Sequence, residues 1–280
     1  MKKKLAILAL SLCMSCSLIA CGDTSASSDS STESTKEEEK VYIEESDLQA
    51  LFTNPDDFKG KYVKLTGQIF TEPEVQGRET ALQVYADPEN VSNNFIVKYT
   101  GGNTFASQDY VSIDGKIAGT FTGENMLGAT LEVPLIESDS VEPMSYIDAV
   151  VPTITEFTPE NAAAEQAGIN IKVDKIEYAE TETRIYMTVT NNSSDNFNFS
   201  SYSTKLIQNG QQIDLDSASM TSYYAELPEF SDSILPGIAS SGVLVFPAMD
   251  SSASFQVYAE GYSENWDISL EPFIIDVTIQ

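Results

Sequence analysis

Short runs of alternating apolar and polar residues restrict most strongly what this 280-residue chain can fold into. The alternation occurs in both halves of the sequence, for example from Val63 to Ile69 and from Ile185 to Val189. A period of two puts successive side chains on opposite faces, so each run predicts a half-buried β-strand. Five runs lie between residues 62 and 142 and about seven between residues 169 and 279. The sequence therefore predicts an all-β protein with two domains.

The N-terminal strands predict a small five-stranded barrel. A short helix over residues 46–54 precedes them, and glycines interrupt the strands where a small barrel must bend. The stretches from Asn54 to Gly67 and from Asp109 to Ile117 resemble parts of the OB-fold domains of bacterial lipoproteins and related exported proteins. The resemblance covers residues 46–148 and implies an OB-like fold for them.

The C-terminal strands are separated by regular turn signals and predict an Ig-like β-sandwich over residues 169–280. Asn209-Gly210 predicts a two-residue hairpin, and Phe197 begins a strand predicted to continue to Ile207. Three stretches in order resemble an uncharacterised Ig-like domain family of Gram-positive surface lipoproteins, sometimes auto-named telomeric-repeat-binding-factor-like: Thr188 to Ser193, Leu206 to Gln211, and Leu235 to Phe246. That name describes no activity, so the resemblance implies a fold and a compartment only.

The first 45 residues lack a strand pattern. Three lysines followed by the apolar run Leu5 to Leu12 are typical of a bacterial export signal, and this run is too short to span a bilayer. The stretch from Leu18 to Gly22 resembles the lipobox of bacterial lipoproteins. It implies a signal peptide over residues 1–20 and a lipid on the sulfur of Cys21, which would anchor the chain to the membrane. An ordinary secretory signal with an accidental cysteine is the alternative.

Two further segments are predicted to connect the folded parts. Residues 21–45 are rich in serine, threonine and glutamate and predict a disordered acidic tether, because they contain too few apolar residues to form a core. Residues 149–168 predict a linker between the two domains. Within that linker, Asn161 to Ala167 predict one or two helical turns that end at Gly168.

Composition argues against several classes of function. The sequence contains no histidine, and of its cysteines Cys13, Cys16 and Cys21 only the last would remain after processing. A disulfide framework, a cysteine nucleophile, a histidine-based triad and a zinc site are therefore not expected. The formal net charge of −28, from 15 basic and 43 acidic residues, repels nucleic acids and anionic lipids and attracts basic partners.

Candidate binding residues are aromatic. We predict that Tyr62, Tyr85 and Tyr110, on outer faces of the barrel strands, contact a protein or cell-wall glycan partner. Nucleic acid is not a predicted partner, because the N-terminal domain is strongly acidic. Trp266 and the pair Tyr223-Tyr224 lie near predicted loops, and a lone tryptophan in a sandwich is more often a core residue than a binding residue. The sequence therefore predicts a core position for Trp266.

Acidic and amide side chains offer oxygen ligands in a few places. The pairs Glu72/Glu74 and Asp214/Asp216 share a strand face, and the turn from Asn191 to Asn196 is rich in amide and carboxylate groups. Such groups could bind calcium weakly. Exposure of the acidic pairs to water and hydrogen bonding within the turn explain the same residues equally well. We predict no metal and no cofactor.

These observations together predict a non-enzymatic binding or scaffold module. It would lie at the extracytoplasmic face of the cell membrane, anchored through the lipid on Cys21, with an unknown ligand. One alternative is a carboxylate-dependent cell-wall glycan hydrolase, which would need two carboxyl groups about 5–10 Å apart in a cleft. The other alternative is an accessory subunit of a membrane transporter or sensor.

Overall fold

The computed structural model describes residues 39–124 and 130–279 and divides the chain into two compact units, with the boundary between Met144 and Ser145. The predicted signal peptide, Cys21 and most of the predicted tether lie outside the described residues. Both units consist mainly of strands, which confirms the predicted all-β class. No helix in the described ranges has both the length and the apolar character that a membrane crossing requires.

Unit 1 contains, in its described part, one α-helix and six strands. They are α1 (Leu48–Thr53), β1 (Tyr62–Ile69), β2 (Glu74–Gln76), β3 (Glu79–Asp87), β4 (Ser92–Tyr99), β5 (Tyr110–Glu124) and β6 (Thr130–Met144). Two short 3₁₀ turns, Glu45–Asp47 and Pro55–Phe58, flank the helix. The single helix lies where the sequence predicts one, because Leu48, Leu51 and Phe52 recur at helical spacing.

Pairing in unit 1 is organised around β1. This strand pairs antiparallel with β5 along most of its length, and its end pairs antiparallel with β3. Strand β3 pairs with β4, β4 runs parallel to β6, and β6 pairs antiparallel with β5. The alternating residues Val63, Leu65 and Ile69 are buried in the core of the unit, as their spacing predicts.

The folded part of unit 1 begins earlier than the predicted tether boundary at residue 45. Val41 and Ile43 lie beside the start of β1, where the Tyr62 amide donates to the Val41 carbonyl (2.8 Å) and the Ile43 amide donates to the Tyr62 carbonyl (2.9 Å). The Tyr42 hydroxyl donates to Asp114 Oδ2 (2.7 Å). These bonds form because the first half of β1 leaves one edge open to a further extended segment.

Over its described residues, 145–279, unit 2 contains two short α-helices and eleven strands. They are α2 (Tyr146–Val150), β7 (Thr155–Phe157), β8 (Ala163–Gln166), β9 (Ile169–Tyr178), β10 (Glu182–Asn191), β11 (Phe197–Phe199), β12 (Lys205–Gln208), β13 (Gln211–Asp214), α3 (Thr221–Tyr224), β14 (Ile238–Pro247), β15 (Phe255–Ala259), β16 (Gly261–Ser263) and β17 (Phe273–Val277).

Two sheets of unit 2 share one hydrophobic core. One sheet has the order β14-β10-β9-β7, with β8 also paired to β9, and the other has the order β13-β12-β15-β17. Ile185 and Met187 of the first sheet and Val257 and Phe273 of the second are buried in the same cluster. The apolar alternation of Ile169, Ile171 and Val173 breaks before Ile176, which predicts a shift in register near Asp174. The pairing of β9 with β10 does shift by one residue there. The Asn209-Gly210 hairpin is also confirmed, because both residues have positive φ and Gln208 pairs with Gln211.

The predicted linker differs from what the structure shows. Residues 149–168 contain β7 and β8, both paired with β9, and Ala163–Gln166 form a strand rather than the predicted helical turns. Ala167 and Gly168 have φ of +47° and +83° and form the tight turn of a β8–β9 hairpin. A glycine after a short run of alanine and polar residues suits a hairpin turn as well as a helix end, so the local sequence does not distinguish the two.

The single strand predicted from Phe197 to Ile207 is also incorrect. A 3₁₀ turn at Ser201–Ser203 divides it into β11 and β12. Strand β11 pairs with β16 in a separate two-stranded sheet, whereas β12 pairs with β13 and β15. Serines at residues 200, 201 and 203 add no apolar side chain to either core, so nothing holds this short segment extended.

A buried ionic cluster covers the outer face of β10. Arg184 has no exposed surface, and its guanidinium donates to Glu177 Oε2 (2.9 Å) and to Glu182. It also donates to the Val151 carbonyl (3.1 Å) and to Thr153 Oγ1 (2.7 Å). Arg184 therefore holds the segment around Val151 and Thr153, near the start of unit 2, against the sheet that contains β10.

The Glu177 pKa reflects the same cluster. Desolvation by burial raises this pKa, but hydrogen bonds from Lys175, Arg184 and Tyr186 lower it, and the net result is below the ordinary value of 4.5. A carboxyl group with a depressed folded pKa stabilises the fold above its unfolded pKa. That contribution is lost as the pH falls from about 4.5 through the depressed folded pKa.

We predict that Gly67→Ala destabilises unit 1 by about 1–3 kcal/mol. A Cβ on Gly67 would overlap the Tyr85 carbonyl and the Val84 side chain, so β3 would have to move away from β1. The measurement is urea unfolding followed by circular dichroism. Gly102→Ala is the control, because Gly102 is exposed with open space around it, and a change beyond about 0.5 kcal/mol there would contradict the assignment.

We predict that Arg184→Met destabilises unit 2 by about 3–5 kcal/mol at neutral pH, because Glu182 would remain buried without a counterion and Glu177 would keep only Lys175. The difference from the unaltered protein should narrow below about pH 4.5, where Glu177 loses its stabilising contribution. Urea unfolding at several pH values measures both effects. Lys172→Met is the control, since its pair with Asp174 is half-exposed and contributes at most about 1 kcal/mol.

Candidate functional site

The predicted contact residue Tyr62 lies half-buried at the start of β1. Its ring centroid is 5.8 Å from that of Tyr42 and 5.0 Å from the Lys40 ammonium group. The Lys40 ammonium lies 3.3 Å from Asp114 Oδ1. The N-terminal segment of the same chain therefore contacts the surface of Tyr62 that was predicted to meet a partner.

Tyr85 and Tyr110 are brought together by the pairing of β1. Both residues lie opposite Gln68, one on β3 and one on β5, so the three side chains form one cross-strand row. Two strand spacings separate the tyrosine Cα atoms by about 10 Å. Tyr85 is stacked on Phe70 with ring centroids 3.9 Å apart, and burial raises the pKa of its hydroxyl. Both tyrosines are half-buried.

Tyr62 is not part of this row. Six residues of β1 separate it from Gln68, which corresponds to about 20 Å along a strand. The three predicted contact residues therefore do not form one surface, and their role in partner binding stays a prediction. Cys21, the predicted lipid attachment site, lies outside the described residues.

Two of the acidic residues considered for calcium, Asp214 and Asp216, have hydrogen-bond partners within the chain. Asp216 Oδ1 accepts from the Ala218 and Ser219 amides, and Asp214 accepts from the Gln212 side chain. The described ranges contain no group of three or more aspartate, glutamate, cysteine or histidine residues placed to hold a metal ion. The hydrogen bonds that Asp216 accepts from the turn backbone therefore account for an aspartate at this position without a bound ion.

Trp266 is the most exposed large apolar side chain of the described residues, with 99% of its surface accessible. The prediction that it is a core residue is wrong. Burial of an indole side chain on the order of 200 Å² would stabilise the fold by about 5 kcal/mol, at about 25 cal/mol per Å². Unit 2 lacks this stabilisation from Trp266, whereas other aromatic side chains of the unit are buried in its core.

The backbone on either side of Trp266 is fixed by local hydrogen bonds. The Asn265 amide donates to Ser263 Oγ (3.1 Å), and the Asp267 amide donates to Asn265 Oδ1 (3.1 Å). The Ile268 amide donates to the Asn265 carbonyl (3.0 Å). Side chains short enough to bond to their own backbone stabilise this tight turn. The indole is therefore displayed on an ordered loop.

A buried amide organises the neighbouring loop. Asn191, at the end of β10, has no exposed surface, and its Nδ2 donates to the carbonyls of Asp195 (2.8 Å) and Ile234 (2.7 Å). Its Oδ1 accepts from the Ser193 amide (3.0 Å) and from the Ser193 hydroxyl. The Asn191 side chain thus bonds to Ser193 and Asp195 within the turn considered as a calcium site, and it also joins this turn to Ile234.

The two loops are joined to each other. The Glu264 amide donates to the Asn196 carbonyl (3.0 Å), and the Asn196 side chain donates to Glu264 Oε2 (3.1 Å). The Asn265 side chain donates to Asp195 Oδ2 (3.2 Å). Below them, β11 pairs with β16, and Gly261 leaves the space that the Phe197 ring occupies. The buried amide of Asn191 therefore supports the loop of Trp266 through Asp195 and Asn196.

Two surface grooves meet at Trp266. One groove, of about 770 Å³, has aromatic and aliphatic walls that include Tyr262, Ile268 and Leu270. The other groove, of about 540 Å³, is lined by polar and acidic side chains that include Asp195, Glu264 and Asp267. We refer to the surface formed by Tyr262, Trp266, Asp195, Glu264 and Asp267 as the Trp266 ridge.

The Trp266 ridge carries negative charge. Asp195 and Glu264 accept hydrogen bonds only from neutral groups among the described contacts, and none of the ion pairs found in the described ranges includes Asp195, Glu264 or Asp267. An exposed indole next to carboxylates can attract a cation to its ring face and can bury apolar surface on a partner. The exposed indole and the neighbouring carboxylates together therefore suit the binding of a partner.

One signal in the sequence could have identified this site. Trp266 lies in the run Ser-Glu-Asn-Trp-Asp, where all its immediate neighbours are polar and no alternation places it on a strand face. A tryptophan in such a run belongs to a loop, and loops lie at the surface. Its partners Asp195 and Asn196 are about 70 residues away in sequence, so only the folded chain shows them beside it.

Comparisons with known proteins identify no family for this chain. No protein-family model matches the sequence, and no curated protein matches it. A crystal structure described as that of a functionally unknown protein from Listeria monocytogenes EGD-e is 9% identical in sequence, with a TM-score of 0.31. The similarity covers 49% of this chain and 94% of that chain. Neither fold nor function is inferred from a similarity of this size.

We predict that Asn191→Ala destabilises unit 2 by about 1–3 kcal/mol, because the variant removes the hydrogen bonds that this buried amide makes to Asp195, Ile234 and Ser193. The loop beneath Trp266 should also loosen, which would be visible as lower fluorescence anisotropy of this sole tryptophan. Asn192→Ala is the control, because Asn192 is the exposed neighbour in sequence. Equal effects of the two substitutions would contradict a supporting role for Asn191.

We also predict that Cs⁺ quenches the fluorescence of Trp266 more strongly than I⁻ does, when each quenching constant is divided by that of the same ion with N-acetyltryptophanamide. The carboxylates of the Trp266 ridge concentrate cations and repel anions near the indole. Added sodium chloride should reduce the difference, since salt screens exposed charges. Similar quenching by both ions at low salt would show that the local field is not negative.

Proposed function

We propose that this protein is a lipid-anchored extracytoplasmic binding module, without enzymatic activity, that engages a partner through the Trp266 ridge. The observation that carries the proposal is the exposure of Trp266 on a loop fixed by its own hydrogen bonds. Tryptophan is enriched among residues that dominate binding energy, and an ordered loop loses little entropy on binding.

We further propose the finer architecture of the two units. Five strands of unit 1 form a closed ring of pairings in the order β1-β3-β4-β6-β5, which supports an OB-like five-stranded barrel. Two sheets around one core support an Ig-like β-sandwich in unit 2. Both are folds that commonly serve as binding modules, and function on such folds resides in local sites.

The lipid anchor at Cys21 and the extracytoplasmic location are proposals from the sequence. The charged n-region, the short apolar run and the cysteine after Leu-Ile-Ala support them. A lipid anchor would concentrate the Trp266 ridge near membrane proteins and the cell wall. The partner is therefore sought there, and a membrane transporter or sensor is one candidate.

Site-specific photo-crosslinking in intact cells tests the proposal. The full-length chain would carry p-benzoylphenylalanine in place of Trp266, and cross-linked products would be identified by mass spectrometry. We expect a discrete cross-linked partner from this position. A partner that is one membrane protein in fixed proportion would make the chain an accessory subunit.

Tyr223 provides the matched control position. It is also a highly exposed aromatic residue of unit 2, with 73% of its surface accessible. It lies beside Thr221, which donates to Glu182 at the start of β10, whereas the Trp266 loop contacts residues that follow the end of β10. The ten residues of β10 separate these positions by about 30 Å. No product at position 266, or the same products at both positions, would contradict the proposal.

A further inference from the structure

The chemistry of the Trp266 ridge restricts its partner, if the ridge is the binding site proposed above. We infer that the partner is a protein segment that presents an arginine or lysine side chain next to an apolar side chain. The cationic group would lie against the indole face and the carboxylates, and the apolar side chain would lie in the groove beside Tyr262.

The charges around the ridge favour a cationic group. Asp195, Glu264 and Asp267 line one side of Trp266, and the described ion pairs leave all three without a basic partner. A cation placed over an indole and near carboxylates gains both cation–π attraction and charge–charge attraction. A phosphate- or carboxylate-rich ligand would be repelled.

The rest of unit 2 does not supply that cation. Residues 145–280 contain 20 acidic and only four basic side chains. Lys172, Lys175 and Arg184 pair with carboxylates on the outer face of the β9–β10 sheet. The fourth, Lys205, lies opposite Asp214 and Tyr258 in the other sheet. A cationic side chain at the ridge would therefore have to come from outside the unit.

The apolar groove favours a protein over a glycan. Its walls combine the aromatic rings of Tyr262 and Trp266 with the aliphatic side chains of Ile268 and Leu270. A neutral sugar could stack on the indole and bond to Ser263, Glu264 or Ser269, which also line the groove, but it offers no apolar side chain to cover Ile268 and Leu270. A segment with an aliphatic side chain next to an arginine could fill the apolar groove and place its charge beside the carboxylates.

Peptide titration of the full-length protein tests the inference, with Trp266 fluorescence as the signal. The probes are acetyl-Gly-Leu-Arg-Leu-Gly-amide and two analogues, in which citrulline or glutamate replaces arginine. Citrulline keeps the shape of arginine without the charge. We expect the arginine peptide to bind at least about five-fold more tightly than the citrulline peptide, and the glutamate peptide to bind more weakly still.

A pair of isosteric variants locates the effect. Asp267→Asn should remove most of the preference for arginine over citrulline, because it removes one carboxylate of the ridge and leaves the Asp267 backbone bond to Asn265 unchanged. Glu226→Gln should leave the preference unchanged, because Glu226 follows α3, near the start of β10. Loss of the preference in both variants would show a long-range charge effect and overturn the assignment to the ridge.

The two proposals fail in different ways. Equal binding of the arginine and citrulline peptides, or tighter binding of an N-acetylglucosamine oligomer than of the arginine peptide, would overturn the inference. A cross-linked partner at position 266 in cells would then still support the proposed function. Arginine-selective binding together with an absence of cross-linked products in cells would support the cation chemistry and contradict the proposed function.

Discussion

The ion cluster around Arg184 is the interaction on which the arrangement of unit 2 depends. A fully buried guanidinium is tolerated only because Glu177, Glu182, a backbone carbonyl and a threonine hydroxyl occupy its donors. Through the Val151 carbonyl, the same group fixes the start of the unit onto β10. Through Glu182, which accepts from Thr221, it also holds the α3 region. One side chain thus organises a sheet face that would otherwise need an apolar cover.

The opposite end of β10 uses a neutral group for a similar purpose. Asn191 is buried without charge, and its amide bonds to Ser193 and Asp195 in the loop that follows and to the carbonyl of the distant Ile234. A buried amide costs less desolvation than a buried ion, and it can donate and accept at once. The two ends of β10 are therefore stabilised differently. The first residues of unit 2 cover its start, whereas the loops at its other end expose Trp266 to solvent.

The candidate site illustrates which parts of a site can be predicted from sequence. The alternation of apolar residues predicts the strands of both units, the hairpin at Asn209-Gly210 and the irregularity at Asp174. It does not predict that Trp266 is exposed, because a lone tryptophan in a sandwich is more often a core residue, although the residues around Trp266 are polar. It also does not predict that Tyr62 lies apart from Tyr85 and Tyr110, because only the strand register places Tyr62 at the other end of β1.

Local periodicity and composition are sufficient to predict the all-β class, most strand positions and the strong negative charge. The tertiary structure alone decided that residues 155–157 and 163–166 join the β9 sheet, that Phe197 to Ile207 divides into two strands, and that Trp266 stands beside Asp195. These outcomes depend on contacts between residues that are distant in sequence. A short segment adopts whichever conformation pairs its backbone and buries its few apolar atoms, and only the folded neighbours determine which one that is.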